Sequence, residues 1–381
     1  MFDNDHAPAP QPIDAARVLP DRDAVVVGDR RAMLAGLMGV GGLAAGALFA
    51  ARATAGPLDP PPGPVTSTGK PLTDLEPRIA INDVNTPGDA SSVYRITQSG
   101  SYYLTGHVTG ISGRHGIAIA ANNVTVDLNG YSLLGVPGSL NGITALGSVN
   151  RMVIRNGIAR NWGGHGVSIS SANPVNAIIE GVIASTNGGQ GISAGRQTVV
   201  RDCCVRENGS HGLVVGIASV VTRCSAEANT GDGFRLLGGS HITACVASAN
   251  QGHGLFLGRG SLADRCCVNQ SAEIGIYVED YCILSHNTIS GSLGIGVQVV
   301  RSVNYICDNI CQAVDDGFKV DQGGNFIVRN VSVSFTRAWN IAAGNVVGPI
   351  LDRRSPGGGS ISGFSAPDTT GTTHPWANFS L

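Results

Sequence analysis

A glycine recurs at a fixed interval of 21 residues through the second half of the chain. Each of these glycines is followed by an apolar residue, and Gly116, Gly142 and Gly166 carry the same signature at spacings of 24 to 26 residues. A short repeat of fixed length is typical of solenoids, in which each repeat forms one coil and packs against its neighbours. The seven regularly spaced glycines are Gly191, Gly212, Gly233, Gly254, Gly275, Gly296 and Gly317.

The residues after each glycine predict a short strand. Positions +1 and +3 are apolar and position +2 is mixed, as in Phe234, Arg235 and Leu236, so one face is buried and the other is exposed. Two further apolar segments recur earlier in each repeat. We therefore predict an all-β parallel solenoid of about ten coils, with three strands per coil in three sheets. At about 4.8 Å per coil, its length is about 50 Å.

Two other residue types share the 21-residue interval and predict internal columns. Asparagine amides stacked in register can bond along the axis and satisfy turn backbone groups. The cysteines are predicted to be buried thiols, because in-register β-carbons lie about 4.8 Å apart whereas a disulfide needs about 3.8 Å. A disulfide is the alternative for an exported chain. The columns are Asn187, Asn208, Asn229 and Asn250, and Cys203, Cys224, Cys245 and Cys266.

The repeat and its flanks resemble a known class. The Asn-x-x-x-Gly-apolar-x-apolar coil resembles the right-handed parallel β-helix of the pectate-lyase-like superfamily. The segments Ile96–Leu133, Gly324–Ile350 and His374–Leu381 resemble exported bacterial β-helix repeat proteins of undefined activity. The resemblance covers about residues 75 to 381 and implies a right-handed single-stranded parallel β-helix. It implies little about chemistry, since one fold hosts many functions.

The N-terminal region resembles a twin-arginine export signal. Arg30 and Arg31 precede the apolar stretch Met33–Ala51, and Ala53-Thr54-Ala55 follows as a cleavage site. We predict a signal at residues 1–55 and a periplasmic or extracellular mature protein; an uncleaved anchor is the alternative. Residues 56–70 are interpreted as a linker, 71–351 as the β-helix with an N-terminal cap, and 352–381 as a C-terminal loop and closing segment.

The charge balance restricts the partners of the mature chain. Residues 56–381 carry 20 basic and 21 acidic residues, which gives no reason to propose nucleic acid or an anionic membrane as a partner. We expect a monomer whose partner is a polysaccharide or a cell-wall or matrix component. No cofactor or metal site is predicted from the cysteine spacings, and Ca²⁺ is an alternative that no motif supports.

The outward +2 positions change character along the repeat and predict a binding face. Early coils carry small residues there, whereas the stripe from Gly233 to Gln322 is enriched in rings, carboxylates and cations. Rings beside hydrogen-bonding groups suit the apolar patches and hydroxyl rims of sugars. Stacking of the rings on each other is the structural alternative. The predicted substrate-binding residues are Arg235, Phe256, Tyr277, Gln298 and Arg301.

Catalytic groups are predicted on the same stripe. Asp316, Asp321 and Glu279 supply carboxylates for glycoside hydrolysis, and Lys319 is a candidate base for uronide elimination. The alternative for Asp315-Asp316-Gly317 is ordinary turn chemistry.

Two histidine motifs have structural alternatives. The group His211–Asp232–His253 could hold a metal or orient a base, but His115 and His165 occupy the same turn position without a neighbouring aspartate. The Gly-His-Gly at 164–166 resembles a polygalacturonase motif, although the chain lacks the Arg-x-Lys of that family.

Two functions from different classes follow. One is a protein that binds an extracellular polysaccharide on a lateral face and, if it is an enzyme, acts as a polysaccharide lyase or glycoside hydrolase. The other is a non-catalytic structural or surface solenoid. The unbroken 21-residue spacing leaves little room for loops that would wall a cleft, which favours binding or a structural role over catalysis.

Overall fold

The computed structural model describes residues 77–174, 176–313, 315–334, 336–352, 360–363 and 375–380. These residues form 37 strands and no helix, so the described part has no helix that could cross a membrane. The strand pairs are parallel, and one isolated antiparallel bridge joins Pro87 to Tyr94 near the N-terminal end. The predicted signal, the linker and much of the C-terminal loop lie outside the described residues.

The strands that follow the repeating glycines form one parallel sheet of 13 strands, here called sheet I. Its register pairs Leu213 with Phe234, Phe234 with Leu255 and Leu255 with Ile276, so the glycines form one column as predicted. The predicted count of about ten coils is slightly low. The strands of sheet I are Ser92–Ile96, His115–Ile119, Ile143–Ala145, Val167–Pro174, Ile192–Arg196, Leu213–Val215, Phe234–Leu236, Leu255–Leu257, Ile276–Val278, Val297–Val299, Asp316–Val320, Arg337–Ile341 and Ser360–Gly363.

The other two strands of each coil form two ladders of a 24-stranded sheet. The repeat predicts three separate sheets, but the continuous strands Met152–Arg160 and Ile178–Ser185 belong to both ladders and join them. Besides these two strands, ladder II contains Ile79–Ile81, Gly100–Leu104, Val124–Asp127, Val199–Arg201, Val220–Thr222, His241–Thr243, Leu262–Asp264, Ile283–Ser285, Tyr305–Cys307, Phe326–Val328 and Val346–Val347. Ladder III contains Val108–Thr109, Ser132–Leu134, Cys204–Arg206, Ser225–Glu227, Val246–Ser248, Cys267–Asn269, Thr288–Ser292, Ile310–Ala313, Val331–Ser334, Ile350–Asp352 and Asn378–Ser380.

The chain bends at the corners of each coil. At these corners a residue with left-handed backbone dihedral angles precedes a residue whose polar or thiol side chain points into the coil. At the corner after sheet I, Ala218, Tyr281 and Val303 have φ values of 59°, 59° and 64°, and Ser219, Cys282 and Asn304 follow them. The left-handed residue bends the chain toward the next strand of the coil, and the next side chain bonds to turn backbone groups inside the coil. The same pairing recurs between ladders II and III and after ladder III.

The predicted asparagine column lies at the corner after ladder III. The Asn208 amide N–H and Nδ2 donate to Asn229 Oδ1 at 3.1 and 2.9 Å, and Asn208 Nδ2 also donates to the Ala184 carbonyl at 3.1 Å. Glycine is needed opposite this column, because a β-carbon on Gly212 would lie 2.7 Å from Asn229 Nδ2 and from the Gly233 carbonyl oxygen. The asparagine and glycine columns therefore require each other.

The predicted cysteine column is buried, and its residues are free thiols. Its members lie at the bend between ladders II and III rather than within a strand, because the left-handed residue before each cysteine ends the preceding strand. The Cys224 amide donates to Cys245 Sγ at 3.3 Å, and further along the column the Cys266 amide donates to Asn287 Oδ1 at 2.9 Å. A thiol and an amide thus fill the same structural position.

Candidate saccharide-binding face

The predicted binding residues at the +2 position lie next to one another on sheet I. The register pairs Arg235 with Phe256, Phe256 with Tyr277, Tyr277 with Gln298, and Gln298 with Lys319. Each side chain points outward because its strand neighbours at +1 and +3 enter the core. The structure therefore brings four of the five predicted binding residues and the lysine into one column.

The two rings of this column stack on each other. The Phe256 and Tyr277 centroids are 5.0 Å apart with planes 10° from parallel, and the Arg235 guanidinium carbon lies 3.9 Å from the Phe256 centroid. The His253 ring stacks on Tyr277 at 5.3 Å. Both faces of Phe256 are thus covered, as the structural alternative expects, and the rings present their edges to the outside.

A groove of about 500 Å³ lies beside the stack, where sheet I turns into ladder II. Its apolar part includes Ile217 and Leu237, each 45% exposed, and Arg235 and Arg259 contribute charge. Gly239 lies at this corner in open space, because a β-carbon added there would have no heavy atom closer than 3.9 Å. The groove is lined by Ile217, Arg235, Leu237, Gly238, Gly239, Phe256, Gly258, Arg259 and Glu279.

Most of the predicted catalytic groups are engaged by neighbouring side chains. Asp316 is buried and accepts two bonds from Arg337, at 2.6 and 3.0 Å, as well as one from Asn340 Nδ2 at 2.9 Å. Asp321 accepts from Gln298 Nε2 at 2.7 Å and lies 3.5 Å from Lys319 Nζ. These contacts leave each carboxylate with a cation beside it.

The other predicted residues lie closer to the groove corner. Glu279 lines the groove, and its Oε2 accepts the Arg259 amide N–H at 3.1 Å. Arg301 is exposed, and its carbonyl accepts from Asn304 Nδ2 at 3.2 Å. Arg301 does not line the groove. Of the predicted set, Arg235, Phe256 and Glu279 meet there.

The histidines before the glycines bond to the backbone of the next coil. His165 Nδ1 accepts the Gln190 amide at 2.8 Å, and His211 Nδ1 accepts the Asp232 amide at 2.9 Å. Burial lowers the pKa of both imidazoles, and for His211 the nearby Asp232 carboxylate opposes this effect. These bonds explain His165 of the Gly-His-Gly segment and the recurrence of histidine at this turn.

Asp232 has a second role in the same column. Its Oδ1 accepts the His253 amide at 3.0 Å and its Oδ2 accepts from Arg235 Nη1 at 2.8 Å. His253 Nδ1 lies 3.2 Å from Glu273 Oε2 but forms no hydrogen bond among the described residues. Across the described residues, no three His, Cys, Asp or Glu side chains converge as a metal site.

Comparison with known proteins agrees with this architecture. The family model described as "Right handed beta helix region" matches residues 109–268. The Azotobacter vinelandii mannuronan C-5 epimerase AlgE6 A-module has a similar structure, with a TM-score of 0.55 and 16% identity over 74% of this chain and 91% of that chain. The chain therefore has the fold of a right-handed parallel β-helix. At this identity the likeness concerns the fold alone.

A second β-helix neighbour is the tailspike protein of E. coli bacteriophage HK620, solved in complex with a pentasaccharide. Its TM-score is 0.44 at 10% identity, over 74% of this chain and 70% of that chain. No curated protein sequence matches this chain significantly.

The repeat predicts the column of this β-helix but not the groove corner. Ile217, Leu237 and Arg259 occupy the positions four and five residues after the repeating glycine, where the sequence predicts site residues only in later coils, at Glu279, Arg301 and Asp321. The available signal was the change to glycine at 238 and 239, where the same corner carries Tyr281 and Val303 in later coils. Small residues at a corner that tolerates large ones indicate space beside the column.

Proposed function

We propose that the chain is an exported, monomeric protein that binds an extracellular polysaccharide along the outer face of sheet I. The groove beside Arg235 and Phe256 is the contact site. The observation that carries the proposal is the composition of this groove. Exposed Ile217 and Leu237 offer an apolar surface for sugar C–H groups, and Arg259 and Glu279 offer a donor and an acceptor for hydroxyls.

Binding is favoured over cleavage because of how the acidic groups are held. A general acid or nucleophile must exchange a proton or attack the sugar, and Asp316 is instead enclosed by Arg337 and Asn340. Asp321 is likewise held by Gln298 and Lys319. The similar AlgE6 module, named as a mannuronan C-5 epimerase, supports a polysaccharide as the class of partner.

The proposal is tested by a substitution that places a large side chain in the groove and keeps the backbone conformation of the corner. Gly239 has a φ of 55°, and Tyr281 occupies the same corner two coils later at 59°, so Gly239→Tyr places a ring beside the groove in a backbone conformation that tyrosine already adopts here. Gly324→Tyr is the matched control, because Gly324 also has a positive φ of 83° and does not line the groove.

We expect Gly239→Tyr to weaken retention on an immobilised polysaccharide by about tenfold or more, and Gly324→Tyr to leave retention unchanged. A panel of acidic and neutral polysaccharides identifies the ligand, and reducing ends together with ultraviolet absorbance of unsaturated uronides report any cleavage. Equal retention of both variants would place the site elsewhere. Failure of the unmodified protein to bind any member of the panel would favour the structural solenoid.

A further inference from the structure

The structural position of Asp232 in the coil requires at most a hydrogen-bond acceptor and not a negative charge. Ile274 and Ile295 occupy the position before the repeating glycine without an acceptor, whereas in several other coils the side chain there accepts a hydrogen bond from an amide of the next coil. Neutral side chains do this elsewhere: His115 Nδ1 accepts the Asn141 amide at 3.1 Å, and Asn141 Oδ1 accepts the His165 amide at 2.8 Å. Asp232 does the same with Oδ1, yet it is a carboxylate that is only 4% exposed. A buried charge is retained at a cost unless a partner needs it.

The partner is Arg235, three residues along the chain. Asp232 Oδ2 lies 2.8 Å from Arg235 Nη1, and the guanidinium carbon lies 3.9 Å from the Phe256 ring centroid. The carboxylate and the ring thus hold the guanidinium from two directions. One of its five donors is used by Asp232, so further donors remain for a ligand in the groove that Arg235 lines.

An arginine that is ordered before the ligand arrives gives tighter binding, because less side-chain freedom is lost on association. We infer that Asp232 is a positioning residue for the groove: it fixes Arg235 over Phe256 so that the free guanidinium donors meet the hydroxyl or carboxylate oxygens of the bound saccharide. This inference rests on the proposed function.

Two variants separate the charge of Asp232 from its backbone bond. Asp232→Asn keeps an oxygen for the His253 amide, and Asp232→His introduces the residue found one coil away on either side, at His211 and His253. Both should retain the melting temperature and lose about tenfold in affinity for the polysaccharide identified with the panel. In an Arg235→Ala background, Asp232→Asn should have no further effect, since the positioned group is already absent.

Asp308→Asn is the matched control. Asp308 also holds an arginine, Arg329, at 2.7 and 2.6 Å, and that guanidinium also lies near a ring, 5.3 Å from the Trp376 centroid. Neither partner lines the groove beside Phe256. The control should therefore leave saccharide affinity unchanged while it removes a comparable pair.

Crystal structures of the unliganded protein and of Asp232→Asn test the positioning step without a ligand. Displacement of Arg235 from Phe256 in the variant supports the inference even if the panel yields no ligand. The lack of a ligand would count against the proposed function but not against the positioning of Arg235 by Asp232. An unmoved guanidinium in the variant overturns the inference. So does an equal loss of affinity from Asp232→Asn with and without Arg235.

Discussion

Breaking the asparagine column at Asn229 should destabilise the β-helix more than its small change in volume suggests. Asn229 Oδ1 accepts two bonds from Asn208, and its Nδ2 donates to the Val205 carbonyl at 3.1 Å and to Asn250 Oδ1 at 2.9 Å. Asn229→Ala leaves the buried Asn208 amide N–H without its acceptor, which costs about 1–3 kcal/mol. The other three bonds contribute about 0.5–1.5 kcal/mol each, so we expect a loss of about 2.5–7.5 kcal/mol.

Urea denaturation followed by circular dichroism measures this loss. Asn229→Ser should cost nearly as much as alanine, because Ser271 occupies the same column one coil beyond Asn250 and its buried Oγ has no hydrogen-bond partner among the described residues. Thr230→Ala is the control, since Thr230 is exposed and only its backbone is bonded within the described part of the chain. A loss below about 1 kcal/mol for Asn229→Ala would refute the ladder as a major source of stability.

Three further predictions concern strain, protons and thiols. Val303 is β-branched at φ 64°, so Val303→Gly should raise stability by about 1 kcal/mol, and an unchanged urea midpoint would contradict this. Burial lowers the folded-state pKa of His165 below 6.5, so the unfolded chain takes up the proton first and the free energy of unfolding should fall as the pH drops below about 6.5. The variant His165→Asn should lessen this fall, as measured by urea titrations between about pH 8 and 5. In the native state exposed Cys267 should react rapidly with a thiol reagent, whereas all nine cysteines should react after denaturation; fewer would indicate a disulfide.

The repeat predicts most of the fold because one coil constrains all the others. Gly212 and Asn229 must meet in space, and equal spacing along the chain is the simplest way to keep them in register. The joining of ladders II and III does not follow from the repeat. It depends on Asn156 and Gly181, which bend at φ 59° and 60° inside continuous strands, whereas Asp202 makes the same bend between two separate strands. After the bend, Gly157 and Val182 pair with each other within the strands, whereas Cys203 lies outside any strand, and the apolar pattern does not encode this difference.

The outward +2 positions predict which side chains form a column on sheet I, but they do not predict the ion pairs and hydrogen bonds that these side chains make. Residues 21 apart lie side by side in this fold, so the sequence alone already pairs Asp316 with Arg337 and Asp308 with Arg329. Testing each candidate acid for an opposite charge 21 residues away would have indicated that Asp316 is held by a cation. The sandwich of Phe256 between its neighbours follows from the same rule.

The same 21-residue rule distinguishes Glu279 from the other predicted catalytic carboxylates. Glu279 has uncharged residues 21 positions away on both sides, Gly258 and Val300, and it lies on the groove. Among the described residues, its carboxylate accepts the Arg259 amide N–H through Oε2 and forms no ion pair, so it keeps acceptor capacity for a ligand. In a solenoid, a side chain without an in-register partner is free to bind something else. The groove therefore combines Arg235, which Asp232 holds, with a carboxylate that no in-register neighbour neutralises, and the proposed saccharide contact requires such a donor and acceptor.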